Sequence, residues 1–188
     1  MAENLNGMRV AILATDGFEQ SELLEPKRAL EEAGAKPEVI SPKSGEIQGM
    51  QHDEKGQKVT VDHTLADARP TEYEALVLPG GVANPDKLRT IPEAVAFVRA
   101  FFEADKPVAA ICHGPWTVIE ADQARGHEMT SWPSLKTDLR NAGANWVDRE
   151  VVADRNLITS RKPDDLPAFN RKLIELLAQR GRRRAAAE

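Results

Sequence analysis

The sequence predicts an α/β fold: a flavodoxin-like, doubly wound sandwich with a mostly parallel central sheet and a nucleophile elbow, a sharp strand-to-helix turn. Three observations predict it. Residues 8–14 (MRVAILA), 75–78 (ALVL) and 108–111 (VAAI) are short apolar runs without polar alternation, which is how strands buried on both faces read. Helically spaced segments separate these runs, so β and α alternate along the chain. Each run also ends in a turn rich in glycine or acidic residues, at the strand ends where open parallel sheets bind ligands.

The first strand, 8–14, leads through the turn Thr15-Asp16-Gly17 into a helix over 21–33. Leu23, Leu24, Leu30 and Ala33 form its apolar side, and Gly34 is its C-terminal stop. Pro26 falls early in that helix, where it bends the first turn. Residues 38–41 (EVIS) make a second strand, completing a right-handed βαβ unit. The turn-rich stretch 42–70 contains one alternating segment, 58–61 (KVTV), which suits a small hairpin or excursion at the sheet edge. The strand 75–78 ends in Pro79-Gly80-Gly81, and Pro92 opens a helix carrying Val95, Val98, Phe101 and Phe102. The strand 108–111 delivers Cys112, and a helix over 116–121 follows. A shorter helix spans 134–142 and stops at Gly143. Strands 151–153 and 157–159 pair as a hairpin around Asp154-Arg155-Asn156, and a last helix runs from near Pro163 to about Gln179.

The totals bound the classes of function. A chain of 188 residues, 41% hydrophobic, supports one substantial core, so a single domain over 1–188 is expected, with a core over 8–179. Its basic end, 180–188, with Arg180, Arg182, Arg183 and Arg184, is expected to be a frayed, solvated tail. The net charge of −5 with interspersed signs argues against a nucleic-acid partner. One cysteine makes no intramolecular disulfide, so no oxidising compartment is required. The first residues carry no basic and apolar signal pattern, and no apolar run has the length of a membrane span, so a cytoplasmic protein without membrane contact is expected.

The chemistry centres on Val108-Ala109-Ala110-Ile111-Cys112-His113-Gly114-Pro115. Cys112 sits where the strand turns into a helix, and the helix N-terminus behind it is expected to favour the thiolate. His113 is placed to move a proton, although its position one residue on is expected to aim its ring away from the thiol. The backbone N–H groups of Gly81 and His113 are candidates for an oxyanion hole. Glu22, in the first turn of the first helix, is the acid expected beside Cys112. Two negative charges there would raise both pKa values, so Glu22 is expected to be protonated and to donate to sulfur. Three strand ends, at Thr15–Glu22, Pro79–Gly81 and Cys112–Gly114, are expected to meet in a pocket. The four histidines, at 52, 63, 113 and 127, lack metal-ligand spacing and no dinucleotide or P-loop motif occurs, so neither metal nor cofactor is expected.

Glu22, Leu78-Pro79-Gly80-Gly81, Ala110-Ile111-Cys112-His113-Gly114-Pro115, Thr130-Ser131-Trp132-Pro133, Lys136 with Asp138-Leu139, Asn141-Ala142-Gly143 and Thr159-Ser160-Arg161 together resemble the ThiJ/PfpI family, of the class I glutamine amidotransferase-like superfamily. The likeness runs from about Arg9 to Leu177 and lies nearest the PfpI-like intracellular protease and general-stress branch. It implies Cys112 as nucleophile, Glu22 as its carboxylic partner and Gly81 as an oxyanion contributor. It further implies that His113 is completed by an acidic residue of a neighbouring subunit, here Asp86, and hence a homo-oligomer, a dimer or trimer of dimers with the site near an interface. Relatives often have a glycine-containing turn after the elbow helix, where this chain reads Glu120-Ala121-Asp122-Gln123-Ala124. The implied activity is that of a cysteine-dependent stress-protection hydrolase acting on small reactive carbonyls or early glycation adducts, deglycase or glyoxalase in type. An intracellular cysteine peptidase or amidase and a non-enzymatic redox-sensing or chaperone-like stress protein are the alternatives.

Overall fold

The computed structural model describes residues 4–186, apart from the side chain of Arg184. In chain order the strands and helices are β1 (Arg9–Leu13), β2 (Phe18–Glu19), α1 (Gln20–Glu32), β3 (Lys36–Ser41), β4 (Glu46–Gln51), β5 (Glu54–Thr60), β6 (His63–Thr64), β7 (Ala75–Leu78), α2 (Ala83–Leu88) and α3 (Pro92–Glu103). The second half adds β8 (Val108–Ile111), α4 (Pro115–Glu120), β9 (Glu128–Met129), α5 (Lys136–Asn141), β10 (Asn145–Trp146), β11 (Val151–Asp154), β12 (Leu157–Ser160) and α6 (Leu166–Ala185).

Seven strands form the central sheet in the order β11-β12-β8-β7-β1-β3-β6. Every neighbouring pair is parallel except β11 with β12, the hairpin expected from the sequence. The chain steps outward from β1 to β3 and then returns to the other side of β1 at β7, so the switch point lies between β1 and β7.

The apolar runs are explained by burial on both faces. Val10 and Ile12 of β1 face a core with Leu23 and Leu30 of α1 and Phe169, Leu173 and Leu177 of α6. Ala11 and Leu13 face the opposite core, with Phe97 and Phe101 of α3, Val118 of α4 and Leu139 of α5. Neither face meets water, so neither side of the strand is polar.

Three expectations are corrected. The helix α1 begins at Gln20, so Pro26 lies in its second turn, buried, where it lacks the N–H that would bond the Glu22 carbonyl. The excursion after β3 only touches the main sheet through β6. Its hairpin, β4 with β5, forms a separate sheet with β2 instead. The basic end is not frayed from Gln179 onward. The helix α6 continues to Ala185, carrying Arg180, Arg182 and Arg183 in helical register, while 187–188 fall outside the described residues. The small parallel pair β9–β10 is too short for any period to reveal. Among the described residues, no helix is long and apolar enough to cross a membrane.

Candidate active site

The carboxyl ends of β1, β7 and β8 converge beside the switch point, and each delivers one part of the site. Strand β8 carries the chain to Cys112, whose φ is +62°. A residue with a side chain rarely occupies this left-handed region, at a cost of about 1–3 kcal/mol. Its neighbours hold it there. The Cys112 N–H donates to the Ser160 carbonyl (3.1 Å), the Cys112 carbonyl accepts from the Trp132 N–H (2.9 Å), and the Gly114 N–H turns back to the Ile111 carbonyl (2.8 Å). Pro115 then opens α4, so the strand-turn-helix elbow expected from the sequence is present.

Gly80 and Gly81, after β7, pass so close to the elbow that no side chain fits. A Cβ on Gly80 would collide with the Glu22 carboxyl and the Cys112 Cβ, and one on Gly81 (φ +74°) with the Gly17 carbonyl and the Glu19 N–H. The buried Asn84 of α2 ties these loops together. Its Oδ1 accepts from the Thr15 N–H (2.8 Å), and its Nδ2 donates to the carbonyls of Pro79 (3.0 Å) and Gly80 (3.1 Å). The β4–β5 hairpin braces the same loop from outside. Gly17 N–H donates to the Gln48 carbonyl (2.8 Å), Gln48 N–H to Asp16 Oδ1 (2.8 Å), and Gln57 N–H to Gln20 Oε1 (2.7 Å).

Glu22 is fully buried, 0% exposed, at the start of α1. Its Oε2 accepts from the Gly80 N–H (2.9 Å), and Oε1 has no hydrogen-bond partner among the described residues. Burial, aided by the charge of Glu19, pushes the carboxyl up to about 8 against the pull of the Gly80 and Gly81 N–H groups and the Cys112 thiol. Glu22 therefore holds its proton at neutral pH, as the sequence leads one to expect. Oε1 is the oxygen free to carry it.

Cys112 is buried, and burial is also the main influence that raises its thiol. A charged Glu22 would raise it further, an effect removed by protonating Glu22, while the N–H groups of His113 and Gly81 lower it. The expectation of a thiolate favoured by the helix N-terminus is thus corrected. The helix α4 has six residues, and desolvation outweighs the donors.

The His113 ring is not aimed away from the thiol. Its Nδ1 lies 3.1 Å from Cys112 Sγ, because the left-handed φ at Cys112 swings the next residue back over the sulfur. Trp116 meets the ring edge-on at 5.0 Å, and Trp132 stacks at 6.1 Å and 23°. Nε2 lies 3.4 Å from Ser134 Oγ. Burial lowers the pKa of His113, so it rests neutral and able to accept a proton.

Glu22, Gly81, Cys112 and His113 are therefore brought together, while Asp86 is not. It sits exposed on α2, and its carboxylate makes no hydrogen bond or ion pair among the described residues. Asn84, Trp116 and Ser134 were not singled out by sequence reasoning, and Trp132 only as part of the Thr130–Pro133 motif. An asparagine next to proline gives no sign of burial, and the aromatics around His113 meet only through tertiary contact. The turn after the elbow helix, where a glycine is common, has Asp122 at φ +56°, so the left-handed bend is kept without glycine. No group of three or more metal-ligating side chains occurs among the described residues.

This arrangement supports nucleophilic chemistry: a thiol with a neutral base in contact, a protonated acid beside it and two backbone donors at the sulfur.

Known proteins share the arrangement's framework. The chain is 44% identical to protein/nucleic acid deglycase 2 of Escherichia coli over 172 residues, covering 90% of this chain and 97% of that one. It is 43% identical over 173 residues to general stress protein 18 of Bacillus subtilis, covering 91% and 98%. Among solved structures, Drosophila melanogaster DJ-1beta superposes with a TM-score of 0.83 at 28% identity, covering 91% of this chain and 90% of that one. The model of the DJ-1/PfpI family matches residues 8–176, nearly the whole described chain, and the protein is therefore a member of the DJ-1/PfpI family.

Proposed function

We propose that the protein is a cysteine-dependent stress-protection hydrolase that acts on small reactive carbonyls and their early adducts on amines and thiols. The observation that carries this reading is the contact of Cys112 Sγ with His113 Nδ1 at 3.1 Å, beside a carboxyl that keeps its proton at neutral pH. The relatives named as a deglycase and a general stress protein support the same class.

In this reading His113 Nδ1 takes the thiol proton as Sγ attacks the aldehyde carbon, forming a C–S bond and moving the carbonyl π electrons onto oxygen. The N–H groups of Gly81 and His113, already at the sulfur, hold that oxygen. With a 2-oxoaldehyde, His113 first returns the thiol proton to that oxygen and then, neutral again, carries a proton from the attacked carbon to the neighbouring carbonyl carbon, leaving a 2-hydroxyacyl thioester. Water adds to the thioester, the C–S bond breaks, and the acid leaves as the thiol is restored. Glu22 stays neutral and donates to the sulfur whenever it is charged.

Among the described residues of its own chain, His113 has a hydroxyl partner but no carboxylate. We infer a homo-oligomer in which Asp86 of a neighbouring copy completes it, because α2 packs against α4 at the edge of the site and presents Asp86 to solvent. The test compares wild type, Cys112→Ser and Asp86→Ala for conversion of methylglyoxal to lactate, with sedimentation to give the assembly state. Turnover is expected to vanish in Cys112→Ser and to fall in Asp86→Ala without loss of assembly. Undiminished turnover in Cys112→Ser overturns the reading, and a monomeric wild type overturns the role of Asp86.

A further inference from the structure

A cavity of about 460 Å³ opens at the amino ends of β8 and β12, the sheet edge opposite Cys112. It is a separate place: the intervening strands are four residues long, roughly 13 Å. Its walls come from the turn between β11 and β12, which supplies Arg155, and from the end of α6, which supplies Arg180 and Arg183. A second cavity of about 350 Å³ shares Arg180 and Arg183, so these two side chains stand between the two spaces.

The cationic groups are only partly neutralised. Three guanidinium groups line the cleft against two carboxylates: Asp105 pairs with Arg180 at 3.6 Å, and Asp154, outside the lining, with Arg155 at 3.3 Å. The carboxyl ends of α3 and α6 each add about half a negative charge, and Arg183 is the lining cation with no ion pair among the described residues. A lowered pKa keeps His127, on the far wall, neutral, because of burial and then the charge of Arg155.

Part of the donor set is uncommitted. Arg155 is fixed in place by Nε to Asp154 Oδ1 (3.3 Å) and Nη2 to the Gly126 carbonyl (3.2 Å), which leaves its Nη1 amine without a partner among the described residues. Arg183 makes no hydrogen bond or ion pair among the described residues. Arg180 and Arg183 are three residues apart on one helix and so share a face. Guanidinium groups from one helix face and a pinned turn match the several oxygens of a dianion, Arg180 and Arg183 through their forks and Arg155 through Nη1. The wall is not wholly polar. Phe102, whose ring meets His127 edge-on at 6.3 Å, and Leu176 line it with apolar surface.

We propose that this cleft is a binding site for a small phosphomonoester, its phosphate held by Arg155, Arg180 and Arg183 and its organic part lying against Phe102 and Leu176. The basic end of the chain is then a ligand wall and not a solvated tail. The site is independent of the thiol chemistry.

The experiment titrates phenyl phosphate and inorganic phosphate into the full chain at physiological salt, following the His127 imidazole and Asn156 amide resonances. Saturable shifts are expected with both, tighter for phenyl phosphate because of the apolar wall. The double substitution Arg180→Gln and Arg183→Gln is expected to weaken both by about tenfold or more. Glutamine keeps the helix propensity of arginine, and an unchanged unfolding midpoint verifies the fold. Cys112→Ser is expected to bind like wild type, which separates this site from the thiol site. Shifts that do not saturate, shifts reproduced by chloride, or wild-type affinity in the double variant would overturn the proposal.

Discussion

Replacing Glu22 with glutamine isolates the protonation of the buried acid. The carboxyl is 0% exposed and burial raises it to about 8 from the ordinary 4.5. Between those two pH values the folded chain holds a proton that the unfolded chain has released. Its contribution to stability is therefore complete below pH 4.5 and is lost as the pH rises through about 8. Each pH unit inside the window is worth about 1.4 kcal/mol. An uncharged amide of the same shape escapes this penalty, so Glu22→Gln is expected to be more stable than wild type by roughly 3 kcal/mol at pH 7 and by under about 1 kcal/mol at pH 5. Urea unfolding of both proteins at half-unit steps from pH 5 to 8 measures the difference, and the titrations of all other groups cancel in it. A difference that stays flat across that range refutes the assignment of a proton to Glu22. Catalysis moves the opposite way: an amide N–H is a weaker donor to the charged sulfur than a carboxylic O–H, so turnover of methylglyoxal is expected to fall while stability rises.

Two further outcomes follow from the same geometry. His113→Asn keeps a polar side chain but removes the base at 3.1 Å, and kcat/KM is expected to drop by about 100- to 10,000-fold with an unchanged unfolding midpoint; steady-state kinetics within tenfold of wild type would contradict the role of the ring. Gly80→Ala forces a methyl group between the Glu22 carboxyl and the Cys112 Cβ, so a loss of about 1–3 kcal/mol is expected in denaturant unfolding. An unshifted midpoint would show that the three groups are less tightly packed than described.

Legibility differed from residue to residue. The run 108–111 was readable because a strand buried on both faces has no polar residues, and Gly80-Gly81 because backbone crowding tolerates nothing larger. The protonation of Glu22 was reached from the sequence for a different reason, a neighbouring thiolate, whereas burial is its main cause in the structure. The orientation of His113 was not readable. Sequence adjacency implies that neighbouring side chains diverge, and only the left-handed φ at Cys112, held by Ser160 and Trp132, turns the ring back to the sulfur. The β4–β5 hairpin was half visible: its alternation showed a strand, but hydrogen bonds from Asp16, Gly17 and Gln20 decide where it docks. The end of α6 was misread because arginines and alanines look equally at home in a solvated tail and on a helix.

The amino-acid sequence by itself determined the alternation of strands and helices, the elbow, the cysteine at its turn and the glycine turn beside it. Those features follow from side-chain periodicity and from backbone conformations that only particular residues tolerate, which are local properties. Only the tertiary structure decided the ionisation of Cys112, the aim of His113 and the gathering of Arg155, Arg180 and Arg183 around one cleft. Desolvation and the meeting of distant charges depend on what lies across the fold, and no window of sequence contains that.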